Sequence, residues 1–173
     1  MTSLCAEVLK ALAGQTLATA ESLTGGGIGA ALTAVPGASS VYVGGVVSYT
    51  NAVKEQVLGV SPETLVRFGA VSGPTASQMA RGVRELLKSD VAVSVTGLAG
   101  PGGDEFGHSV GTVFIGYDDG EQNLAKPCHF TGTREEIRTQ TIEAALKLIL
   151  SQAKPAPPRA CGAKNEKSPL PKC

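Results

Sequence analysis

Three short stretches of this 173-residue chain combine residue types that can do chemistry. The first, Ala20-Glu21-Ser22-Leu23-Thr24-Gly25-Gly26-Gly27, puts a polar pair where an apolar strand ends and a glycine run opens a helix. Such a junction exposes a hydroxyl at the carboxyl edge of a sheet, where α/β proteins build their sites. It also offers unpaired backbone N–H groups and the positive end of a helix dipole, which suit an anion or an oxyanion. The same spacing equally allows Ser22 or Thr24 to be an ordinary helix cap, with the glycines serving close packing. The run matches neither the phosphate loop that ends in Gly-Lys-Ser/Thr nor the Gly-x-Gly-x-x-Gly fingerprint, so triphosphate and dinucleotide binding are not indicated.

The second stretch is Ser48-Tyr49-Thr50-Asn51-Ala52-Val53-Lys54. A serine, a tyrosine and a lysine meeting in one pocket make a nucleophile of the serine–lysine type. A desolvated lysine loses its proton near neutral pH and serves as base, with the tyrosine relaying or orienting that proton. The plainer alternative has Tyr49 covering a strand end and Lys54 as a solvated helix charge. The third stretch, Thr96-Gly97-Leu98-Ala99-Gly100-Pro101-Gly102-Gly103, is glycine-dense after an apolar strand, at a cost in chain entropy. It either cradles a phosphate or walls a nucleotide pocket, or it is a turn without a ligand. Arg134 and Arg138, four apart near a helix start, are bidentate phosphate clamps or partners of Glu135 or another carboxylate.

These groups need a scaffold, and the hydrophobic pattern supplies one. Leu4, Val8, Leu9 and Leu12 predict a helix over 3–13, halted at Gly14. A short strand over 16–20 leads into a helix over 24–34. Val41–Tyr49 reads as a strand whose Gly44 and Gly45 mark a bulge or a close approach to the backbone. Asn51 caps a short helix ending at Gly59, and Ser61-Pro62-Glu63 starts another. A helix from Ser72 through Lys88 precedes a buried-type strand over 91–96 and a long loop over 97–109. Val110–Tyr117 and Gln122–Phe130 pair about the turn Asp118-Asp119-Gly120. Thr133-x-x-Glu136 is a capping box opening a helix to about Leu150. Helices interleaved with short strands, plus one late hairpin, predict a three-layer α/β/α sandwich around a mixed, mostly parallel sheet.

Length, near one domain's worth, suffices for a core that hides roughly two-thirds of the unfolded surface. Hydrophobic residues are 42% and charged residues 17%, which argues against a disordered chain. No stretch is apolar enough for a membrane span or a secretory signal, so the expected location is cytoplasmic. Five basic residues against Glu166 give 151–173 a net +4, leaving −4 on the rest. A body of that sign is a poor nucleic-acid binder. Neither His108 and His129 nor the four cysteines show metal-ligand spacing, so no metal is expected. The domain is expected over 1–152, with the Pro- and Lys-rich residues 153–173 a disordered tail.

Assembled, the motifs AESLTGG (20–26), GGVVSYTNAVKEQVLGV (44–60), GAVS (69–72), TGLAGPGG (96–103), VGTVFIG (110–116) and REEIRTQTIEAALKLIL (134–150) closely resemble the CinA carboxy-terminal domain family, the nicotinamide mononucleotide deamidases. The resemblance spans residues 3–150. Thr133, in place of an acidic residue, and His108-Ser109, in place of a Pro-containing stretch, depart from it. It implies an amidohydrolase that converts nicotinamide mononucleotide to nicotinate mononucleotide and ammonia, with no cofactor. It further implies an α/β/α fold, a homodimer, and Ser22, Tyr49 and Lys54 as the catalytic residues. N–H groups around Thr24 to Gly26 would hold the oxyanion. The substrate contacts expected are Glu21, Thr24, Gly25, Gly26, Thr96, Gly97, Gly100, Arg134 and Arg138. The competing reading is a non-catalytic nucleotide-binding or partner module connected with competence and DNA damage.

Overall fold

The structure is a computed structural model and describes residues 1–154. The five strands are β1 (Leu17–Glu21), β2 (Tyr42–Val47), β3 (Val91–Gly97), β4 (Thr112–Asp118) and β5 (Asn123–His129). They form one sheet in the order β2-β1-β3-β4-β5. β1 runs parallel to β2 and β3, while β4 is antiparallel to both β3 and β5. Four strands therefore point the same way and β4 alone is reversed. The sequence expectation of a mixed sheet holds.

The helices are α1 (Thr2–Ala11), α2 (Gly27–Thr33), α3 (Asn51–Leu58), α4 (Pro62–Phe68), α5 (Gly73–Leu87) and α6 (Arg134–Gln152). The alternation of side chains along a strand separates two cores. Leu17, Val91, Val93, Val95, Val113 and Ile115 meet α1, α2 and α6 through Val8, Leu32, Leu146 and Ile149. Ala18, Ala20 and Ala92 meet α3 and α5 through Leu58, Met79 and Val83 on the opposite face. Small residues on that face bring α5 close to the sheet, and Ser94 Oγ donates to the Ala76 carbonyl at 2.5 Å.

Local chemistry explains the boundaries. α6 begins with the expected capping box: Thr133 Oγ1 accepts from Glu136 N–H and Glu136 Oε2 from Thr133 N–H. The helix expected over 24–34 starts only at Gly27, because Gly25 and Gly26 adopt φ of 61° and 94°, outside the right-handed helical region. Thr50, rather than Asn51, caps α3 by accepting from Val53 N–H. The bulge expected in β2 is present: Leu17 pairs with Tyr42 and Ala18 with Gly44, leaving Val43 unmatched. A Cβ at Gly45 would collide with the Thr19 side chain, so this strand passes its neighbour too closely for any other residue.

Among the described residues no helix is long and apolar enough to cross a membrane. Lys154 donates to Asp119 at 2.8 Å and Glu121 at 3.0 Å, and its carbonyl accepts from Gln15, so the chain is fastened two residues past the expected domain boundary. The remainder of the expected tail lies outside the described residues.

Candidate active site

Ser22 is the first residue beyond β1, and the ladder continues through it. Its N–H donates to the Val95 carbonyl at 3.0 Å, while Ser48 N–H donates to the Glu21 carbonyl at 2.8 Å. Main-chain bonds to both neighbouring strands thus fix the serine and the residue before it. Lys54 enters from α3 with 1% of its surface exposed. Its Nζ lies 3.1 Å from Ser22 Oγ and 2.7 Å from the Ser48 carbonyl oxygen. The wide sequence separation between hydroxyl and amine is closed by α3 folding back under the ends of β1 and β2.

Among the described residues no carboxylate partners this amine. Burial alone lowers its pKa from 10.5 to about 8, because the charged form loses more hydration than the neutral one. About one molecule in ten then carries a neutral amine at pH 7, against fewer than one in a thousand for a solvated lysine. A neutral amine beside a hydroxyl is a base in reach of a proton.

A cavity of about 280 Å³ opens over this pair. Of the expected site residues, Ser22, Tyr49, Lys54, Thr96, Gly97, Gly100 and Arg134 line it. Arg134 frames the mouth: Nη1 donates to the Gly100 carbonyl at 2.6 Å and Nη2 to the Tyr49 hydroxyl at 3.1 Å. Tyr49 is 59% exposed and bonds to Arg134, not to Ser22 or Lys54, so it sits at the rim rather than in a proton relay. Asn51, Ala70, Val71 and Leu98 also line the cavity. Their side chains carry no sequence signal of chemistry; Ala70 and Val71 belong to the turn between α4 and α5.

The other expected contacts lie elsewhere. Glu21 is buried with its carboxylate turned to the opposite face, where it accepts from Thr24 Oγ1 at 2.7 Å, Ile28 N–H at 3.0 Å and Gly29 N–H at 2.9 Å. The start of α2 is thereby neutralised from within the chain and does not point at the cavity. Thr24, Gly25 and Gly26 are absent from the cavity wall, and Gly25 N–H is spent on the Ser22 carbonyl. Arg138 donates to the carbonyls of Leu23 at 3.1 Å and Thr24 at 2.8 Å, bracing the turn rather than reaching the cavity. Within that turn, the N–H groups of Leu23 and Thr24 have no acceptor among the described residues.

A Glu21→Gln variant separates bracing from binding. Its amide nitrogen would face an N–H or O–H donor, so the expected loss is about 2–3 kcal/mol of stability in denaturant unfolding, with ligand affinity unchanged below the transition. Among the described residues, no three His, Cys, Asp or Glu side chains gather as a metal site.

An α/β/α sandwich with a buried serine–lysine pair at the carboxyl ends of its parallel strands defines the class of this protein. The CinA C-terminal domain model matches residues 1–153. A CinA-like protein of Synechococcus sp. is 58% identical over 115 residues, covering 65% of this chain and 27% of the relative. A CinA-like protein of Endomicrobium trichonymphae is 47% identical over 135 residues, 78% of this chain and 32% of the relative. The chain thus spans about a third of the length of the curated relatives it matches. The crystal structure of the competence/damage inducible protein CihA from Agrobacterium tumefaciens superposes with a TM-score of 0.83 at 39% identity, covering 87% of this chain and 93% of that one. The chain belongs to the CinA C-terminal domain family.

Proposed function

We propose that this domain hydrolyses the carboxamide of nicotinamide mononucleotide to nicotinate mononucleotide and ammonia through an acyl-enzyme. The observation that carries the reading is the buried Lys54 amine, 3.1 Å from Ser22 Oγ and without a carboxylate partner among the described residues. Neutral Lys54 takes the Ser22 proton as Oγ bonds to the carboxamide carbon. The N–H of Leu23, which lines the cavity, receives the developing oxyanion, and such a donor is worth about 3–4 kcal/mol in acyl transfer. The C–N bond then breaks and the nitrogen leaves as ammonia with the proton from Lys54. Water gives a proton to Lys54 as it attacks the ester, and Lys54 passes that proton to Ser22 Oγ as the acyl bond breaks, releasing the acid and restoring the serine. The electron-poor pyridinium ring of the substrate favours each attack. Tyr49 and Arg134 act at the rim, where ribose and phosphate would lie.

Mass spectrometry of protein incubated with the nucleotide tests the reaction directly: both nicotinate mononucleotide and ammonia must appear. Turnover of the nucleotide, its riboside and free nicotinamide separates this substrate from another small amide. Arg134→Ala should raise KM for the nucleotide about 10–100-fold, the value of one charge-assisted phosphate contact, and leave the riboside unaffected. Equal losses on both substrates would make Arg134 a brace for the mouth instead.

A further inference from the structure

Ser48 is fully buried, and its hydroxyl is the one buried side-chain polar atom among the described residues without a hydrogen-bond partner. A buried hydroxyl left unpaired costs about 1–3 kcal/mol, so such a group calls for an explanation. Its backbone is fully engaged: the N–H holds the Glu21 carbonyl next to the nucleophile, and the carbonyl holds Lys54 Nζ at 2.7 Å. The hydroxyl oxygen, like that carbonyl oxygen, is two bonds from the Ser48 Cα, and rotation about χ1 moves it relative to the amine.

The donor count of lysine supplies the missing partner. A neutral amine has two N–H groups and a lone pair; in the resting arrangement the Ser48 carbonyl takes one N–H and the lone pair faces Ser22. Protonated, the same nitrogen has three N–H groups, and among the described residues only two acceptors, the Ser48 carbonyl and Ser22 Oγ, are in place. We propose that the Ser48 hydroxyl is the third acceptor of Lys54, engaged when the amine has taken the nucleophile's proton, and that Ser48 is therefore a positioning residue for the base. The inference rests on the serine–lysine reading of the site.

Among the described residues no other group competes for this role. Of the titratable side chains lining the cavity, Tyr49 and Arg134 bond to each other. Glu21 on β1 is committed to α2. On α5, which packs against α3, Arg81 and Arg84 reach Asp118, and Glu85 lies beside Arg84. On α3 itself Glu55 is exposed.

The test is a ¹³C NMR titration of protein labelled at the lysine ε-carbons, with the Lys54 resonance identified by its loss in Lys54→Met. Ser48→Ala should lower the Lys54 midpoint by about one pH unit, tenfold in its proton affinity. Ser48→Cys, which keeps the volume but accepts poorly, should lower it similarly, and Ser48→Thr should restore it. The acid limb of kcat/KM should move by the same amount. Midpoints that coincide in the native, Ala and Cys proteins would overturn the proposal, because a hydroxyl that only fills space does not move them. The titration needs no substrate, so a shifted midpoint without deamidation would sink the proposed activity and leave the role of Ser48 intact.

Discussion

Ser22→Ala should abolish turnover of nicotinamide mononucleotide, by about 10⁴-fold or more in kcat, while leaving the fold and the affinity for the nucleotide close to native. Removing the nucleophile of a covalent mechanism eliminates the pathway rather than weakening it. The structural consequence is small, since the serine is held by its backbone and only the bond from Lys54 is lost. A variant that kept its rate would exclude the acyl-enzyme and leave water activated by Lys54 as the chemistry.

Lys54→Met should be as inactive as Ser22→Ala and yet more stable than the native protein. The sign follows from proton linkage. Folded Lys54 titrates near 8 and unfolded lysine near 10.5, so between these values the unfolded chain binds more protons, and stability rises with pH across that window. Below pH 8 the full cost of burying the amine is present, up to about 3 kcal/mol. Methionine fills similar space without that cost, and a gain of this size raises Tm by about 5–10 °C for a domain of this length. Calorimetry of both proteins at pH 7 and pH 10.5 should show the gap closing as pH rises. The native protein's kcat/KM should correspondingly climb with pH and level off above about 8, as the amine becomes neutral. An inactive variant with unchanged stability would mean that the amine is not desolvated.

The fold was largely legible because its signals are local. Alternating and continuous apolar runs such as Val91-Ala92-Val93 announce strands, and Thr133 with Glu136 announces the start of α6 from two residues alone. The late start of α2 was not legible, because the backbone angles of Gly25 and Gly26 depend on how the turn packs. In the site, residue types found the right elements but adjacency misled. Glu21 stands beside Ser22 in sequence, yet the carboxylate turns to α2 and only the hydroxyl meets Lys54, as expected when successive side chains of an extended segment point to opposite sides. The same alternation buries Ser48 and leaves Tyr49 at the rim. A sequence shows which residues are neighbours along the chain, whereas a catalytic pair is chosen by which side of the strand each one faces.

The central place of β1 has a consequence for adaptation. Neighbouring strands clasp the nucleophile's segment from both flanks, whereas the cavity mouth is framed by a glycine-rich loop and one arginine. Changes in that frame can alter which amides are admitted without disturbing how the hydroxyl and amine meet. Selection, or an engineer, therefore has a mutable gate attached to an invariant engine, and new substrate preferences should be found by varying 97–103 and the start of α6 before the residues beneath them.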